Sequence, residues 1–193
     1  MNECVFDNIY DVAIGGINSS INGRNCLVSN VGTGFAAISG GNYNFNHCTF
    51  VSISNYYLSH KKPLIVLSNT VKDDISFNAL TATIDNSIVY GEGGFVDDEI
   101  QTVKKSSTGF AANMKNILYK HKTIPSDIIF TNPLIATDPL FTTIDYNKRI
   151  YDFRLKDGSP CIDAATSSTL AFDLNGKPRP VGNAADIGCY EKQ

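Results

Sequence analysis

Long apolar runs are missing from this sequence, and so is any strong cluster of positive charge. The first absence excludes a membrane-spanning helix, which needs about 20 consecutive apolar residues. The second leaves no basic stripe for a phosphate backbone, so nucleic acid is not an expected partner. Tryptophan is absent, histidine occurs three times, and charged residues are only 18% of the 193, with a net charge of −3. Asn, Ser, Thr and Gly take the place of charge. A surface of amides and hydroxyls lets chains stack closely without like-charge repulsion. No Cys-x-x-Cys pair and no clustered histidines occur, so no metal site is expected. Five cysteines cannot make a complete set of bridges.

What is present is a repeat. Cys4-Val5-Phe6 is followed by Ile9, Cys26-Leu27-Val28 by Val31, and Cys48-Thr49-Phe50 by Ile53, at a fixed interval of 22 residues. That period is too short for helical-pair repeats and suits one coil of a β-solenoid. Stacked coils lie about 4.8 Å apart, so Cys4, Cys26 and Cys48 read as small buried hydrophobes on one rung. Corners are expected at Gly15-Gly16, Asn22-Gly23, Gly32, Gly34 and Gly40-Gly41, where glycine and asparagine accept left-handed backbone. Asn8 with Asn30, and Asn22 with Asn44, repeat at the same period. Met1-Asn2-Glu3-Cys4 enters the first coil with no signal peptide and no cap. Open coils expose apolar rungs and strand edges, so the chain is expected to be the C-terminal part of a longer protein.

The period breaks over residues 59 to 76, as a longer coil or as a loop leaving the stack, and again over 91 to 109. It returns at Ile84-Asp85-Asn86-Ser87-Ile88-Val89 and at Met114-Lys115-Asn116-Ile117-Leu118. Residues 1 to 129 thus read as coils with two excursions, and residues 130 to 193 as a capping segment. That segment carries Asp138-Pro139-Leu140-Phe141, Asp152-Phe153-Arg154-Leu155, Gly158-Ser159-Pro160-Cys161-Ile162-Asp163-Ala164, Asp173-Leu174-Asn175-Gly176-Lys177-Pro178-Arg179 and Asp186-Ile187-Gly188-Cys189-Tyr190-Glu191, in that order. Together these resemble the end of the choice-of-anchor Q family of bacterial surface or secreted proteins. The resemblance implies an all-β, right-handed parallel β-helix of the pectin-lyase type, closed by a cap and located outside the cell. It implies no single activity. Cys161 and Cys189 are additions to the family pattern. They are expected to lie close together, either as a disulfide, which would contribute about 3 kcal/mol, or as two buried thiols. Asp163 and Asp186 are expected to hold loop amides and Arg179, and Arg154 and Arg179 to pair with the segment's Asp residues.

A pectate-lyase-type site needs carboxylates that hold calcium beside an Arg or Lys base. Asp7 aligns with Ser29 and Val51, so no carboxylate ladder forms on that face. Asp173-Leu174-Asn175-Gly176 begins like a calcium loop but lacks its remaining ligands, and reads as an Asx-turn. No cofactor is expected, unless calcium serves a lyase. Two clusters leave the coils at similar points: Tyr56, Tyr57, His60, Lys61 and Lys62, then Tyr119, Lys120, His121 and Lys122. Aromatic rings stack on sugar faces and cations attract uronates, so these are candidate polysaccharide-binding residues. Three functions follow: a polysaccharide-binding surface module, a polysaccharide lyase fragment, and a structural adhesin spacer.

Overall fold

The computed structural model describes residues 1–54, 59–70, 77–93, 95–105, 109–166 and 168–193. The described residues are all β, with no helix long and apolar enough to cross a membrane. One parallel sheet is built from β1 (Val5–Asp7), β3 (Leu27–Ser29), β5 (Thr49–Ile53), β8 (Ile88–Glu92), β11 (Leu118–Tyr119) and β13 (Leu134–Ile135), in that spatial order. Val5 pairs with Leu27 and Leu27 with Thr49, so the 22-residue repeat sets the first two steps of register. Thr49 then pairs with Ile88, Ile88 with Leu118 and Leu118 with Leu134, steps of 39, 30 and 16 residues.

The second sheet is curled. It contains β2 (Val12–Arg24), β4 (Thr33–Asn46), β6 (Ile65–Ser68), β7 (Leu80–Asp85), β9 (Ile100–Val103), β10 (Phe110–Lys115) and β12 (Ile128–Thr131). The two halves of β4 have different neighbours: Phe35–Ala37 pairs with β6, and Gly41–Asn46 pairs with β7. Between them Ser39, Gly40 and Gly41 all have positive φ, which glycine adopts freely. Both excursions therefore return to the stack, since β6 and β9 pair in register within it.

Three expected corners move, one of them Gly34, which lies inside β4. Gly15-Gly16 and Asn22-Gly23 lie inside β2, and Asn22 pairs with Asn44 in mid-strand. A Cβ at Gly16 would sit 2.7 Å from the Tyr43 ring, and one at Gly23 2.5 Å from Phe45. These glycines make room for aromatics of the next strand. The real corner is a column of left-handed residues: Glu3, Asn25, His47, Asn86, Asn116 and Asn132, with φ between 48° and 54°. Each precedes a strand of the first sheet by two positions. Asparagine side chains link this column, Asn116 donating to Asn86 and Asn86 to Asn46, both at 3.0 Å.

Cys26, Val28, Val31, Cys48 and Phe50 are fully buried in the main core, where Phe35, Phe45 and Phe50 pack ring against ring at 4.8 and 5.4 Å. Ile53 departs from its repeat equivalents. The chain turns at Asn30 (φ 51°) before Val31, whereas β5 runs straight through Ser52, so Ile53 points to the opposite face. That outer face of the first sheet carries Leu27, Val51, Ile53, Ile88 and Leu118, and a second core forms where the C-terminal segment covers them. The segment contributes an antiparallel hairpin, β14 (Phe141–Asp145) with β15 (Ile150–Leu155), and then residues with little regular structure.

Acidic side chains hold that irregular part. Asp163 Oδ1 accepts the Asn183 and Ala184 amides, and Asp186 accepts those of Asp163 and Lys192. Asp173 accepts the amides of Asn175, Lys177 and Glu191. The Arg179 guanidinium goes to Glu191 (2.9 Å), Asn25 and the Gly188 carbonyl rather than to an Asp. Glu191 wins because its carboxylate is also fixed by the Val181 and Asp186 amides. Arg154 pairs with Asp152 (2.9 Å).

His47 occupies an asparagine-type position, is fully buried, and neither ring nitrogen has a partner. Burial, then the Arg179 charge, pushes it down from 6.5 to about 3. The unfolded chain therefore binds the extra proton between these values, and stability falls as pH drops from 6.5 toward 3. At pH 5 this costs about 2 kcal/mol. Asp186, pushed up by burial to about 6, acts in the opposite sense between pH 3.8 and 6. Comparing variant with wild type cancels that opposing contribution. The stability of His47→Asn relative to wild type, read from urea midpoints, should grow steadily as pH is lowered from 7 to 5.

Candidate functional site

Where the C-terminal cover stops short of β1, a groove of about 690 Å³ remains between β1, β3 and the hairpin. Val5 is 58% exposed, whereas its partner Leu27 under the cover is 7% exposed. Tyr10, on the turn that follows left-handed Asn8, is 84% exposed at one wall. The other wall is β15, whose alternate residues Tyr151 and Phe153 line the groove in step with the strand period, with Arg149 on the turn before it. The Tyr151 and Phe153 rings are parallel, 3° apart in tilt with centroids at 6.1 Å. Lys148 stands at the rim, 3.8 Å from Asp145. The floor is polar. Asp7 Oδ1 accepts the Ser29 hydroxyl (2.6 Å) and the Asn30 amide (3.1 Å), and Oδ2 accepts the Asn8 amide (2.7 Å). This carboxylate is thus committed to the floor. The groove offers ring faces, amides and a cationic rim.

The residues singled out from sequence lie elsewhere. Tyr56 and Tyr57 fall outside the described residues. Tyr119 is fully buried, its ring stacked on Phe130 at 5.4 Å and beside His121 at 4.7 Å, so it presents no face to solvent. Lys61 sits over the Phe95 ring at 5.4 Å, and exposed Lys62 pairs with exposed Asp11 at 2.8 Å. Lys122 pairs with Asp97.

His60, Lys120 and a residue that sequence reasoning left in a loop, Glu99, do come together. His60 Nε2 lies 3.0 Å from both Glu99 carboxylate oxygens, and both side chains are fully buried. Lys120 Nζ donates to the Gly91 carbonyl (2.8 Å) and lies 3.9 Å from Glu99. A Cβ at Gly91 would sit 2.0 Å from Glu99 Oε1, so glycine is required there. The Glu99 backbone bonds both Ile65 and Lys120. This cluster pins three passes of the chain at one corner and is closed to a bulky substrate.

A second cleft, of about 300 Å³, lies on the other side of the hairpin. Tyr90, Glu92, Asp138, Thr142, Tyr146 and Lys156 line it. Burial and then the carboxylates of Asp138 and Glu92 push the Tyr90 phenol up to about 12. Tyr146 is also pushed up, by burial and by its hydrogen bond with Glu92. Among the described residues no three His, Cys, Asp or Glu side chains are grouped to hold a metal ion.

All five cysteines are free thiols, so the bridge considered for Cys161 and Cys189 is not made. Both lie in the second core. Cys161 follows the Ser159 turn, and the Cys189 amide is tied to Thr49 of the sheet. Burial pushes both thiols up to about 12. A chromogenic disulfide reagent should find only Cys4, the one thiol that is not buried, in native protein and all five thiols in urea. Glu99→Ala leaves buried His60 Nε2 without its partner and removes the carboxylate beside Lys120, and should lower stability by about 3 kcal/mol in denaturant titrations. No family model, no curated protein and no solved structure matches the chain.

Proposed function

We propose that this chain is an extracytoplasmic right-handed parallel β-helix module of the choice-of-anchor Q kind, and that it binds polysaccharide in the groove between β1, β3 and the hairpin. The groove itself carries the reading. It sets Tyr10 and Tyr151 around a floor of Asn8, Ser29 and Asn30, with Lys148 at the rim. Ring faces stack on the apolar faces of sugars, and amides and hydroxyls bond their hydroxyl groups. The in-register pairing of successive chain passes supports the β-helix, and the ordered C-terminal motifs support the family. Binding is favoured over lyase action because the groove's carboxylate is held by three hydrogen bonds within the floor. The buried His60–Glu99 pair offers no open base.

Affinity electrophoresis in gels containing neutral and uronic-acid polysaccharides tests this. Retardation by at least one polymer is expected, with Tyr10→Ala weakening it about tenfold, or 1.4 kcal/mol. Calcium-dependent release of unsaturated uronate, seen in the ultraviolet, would place a lyase here instead. No retardation by any polymer would leave the adhesin spacer.

A further inference from the structure

The groove accounts for one side of the β14–β15 hairpin and leaves the cleft on the other side without a role. That cleft is not an isolated dent. Its rim residue Tyr146 continues β14 into the turn that carries Lys148 and Arg149 of the groove. Ile144 pairs with Tyr151, so cleft and groove are separated by a ribbon only two strands wide, about 5 Å between strand axes.

The chemistry of the cleft differs from that of the groove. Glu92 lines the cleft beside Tyr146, and Asp138 caps the Leu140 amide at 2.8 Å, which leaves each carboxylate with acceptor capacity. Lys156 adds an ammonium donor, and the Thr142 hydroxyl, whose proton goes to the Arg154 carbonyl (2.9 Å), adds an acceptor. Tyr146 is 45% exposed and supplies a ring face. Carboxylate and hydroxyl acceptors, an ammonium donor and one ring make a recognition set for vicinal hydroxyls. A bare cation is a poorer match, because Lys156 lines the same space.

We propose that the Glu92–Asp138–Tyr146–Lys156 cleft is a second sugar-binding subsite, and that one glycan chain crosses the hairpin tip to occupy both it and the groove. This rests on the groove being a glycan site. Its added content is chain length: the protein selects oligosaccharides long enough to straddle the hairpin over mono- and disaccharides. Occupying both sites at once raises affinity through effective concentration, and it does so only when the ligand can span them.

Calorimetric titration with size-fractionated xylo-, cello- and galacturono-oligosaccharides of two to eight units tests this on the full chain. For the series that binds, affinity should rise about tenfold or more between the short and the long members. Glu92→Gln and, separately, Lys156→Ala should bring the long oligomers down to the affinity of the short ones and leave the short ones unchanged. Tyr10→Ala should weaken every length. Length-independent affinity, or long-oligomer binding unaffected by either cleft variant while Tyr10→Ala still weakens it, would overturn the second subsite and leave the groove standing. Failure of all three series and of their parent polymers to bind would overturn both. Unchanged denaturant midpoints identify the cleft variants as folded.

Discussion

A parallel sheet that is apolar on both faces needs a layer on each, and this requirement organises the molecule. The inner face of the six-stranded sheet packs against the curled sheet through Val28, Phe50 and Val89. The outer face presents Leu27, Val51, Ile53, Ile88 and Leu118, which would meet water without the C-terminal segment. Phe141, Phe153, Leu155, Cys161, Ile187 and Cys189 supply the missing layer. The segment is mostly irregular, so its backbone amides cannot be satisfied by a ladder. Carboxylates at 163, 173, 186 and 191 take over that task, and the buried Arg179–Glu191 pair ties them to Asn25 just before β3.

The same cover defines the binding surface. It protects the outer face from Leu27 onward and leaves Val5 open, and the groove is the step between covered and uncovered sheet. The hairpin is at once a wall of the groove, a wall of the smaller cleft and, through Phe141 and Phe153, part of the second core. Ligand-facing residues are thereby mounted on a ribbon whose other residues are anchored in hydrophobic packing. The buried His60–Glu99–Lys120 cluster serves the opposite end of the same problem. It joins passes of unequal length at a corner where no regular ladder is available.

The left-handed column shows how one local conformation propagates. Asparagine tolerates this backbone because its short amide bonds locally, and here the Asn86 and Asn116 amides also reach the next pass. His47 keeps the backbone geometry without the amide. It relies on burial beneath the C-terminal segment, and its ring carries two unsatisfied nitrogens in consequence.

The sequence alone was enough for the all-β class and for the first steps of register, because a 22-residue spacing of like residues leaves parallel stacking as the economical way to bury them together. Of the Asp-rich C-terminal motifs, the turn of Asp173 was legible because it is local, whereas Asp163 and Asp186 bond amides 20 and 23 residues away. Corners were half legible. Asn8, Asn30 and Gly40-Gly41 follow from backbone preference, whereas Gly16 and Gly23 are glycines for the sake of Tyr43 and Phe45 on another strand. Tertiary structure alone decided the candidate site. Tyr10 meets Tyr151 only because the C-terminal segment folds back along the sheet, and no periodicity links residues so distant. It also decided which loop residues became interior. Tyr119, His60 and Glu99 look like surface groups in sequence, and they are buried because successive passes of the chain close over them.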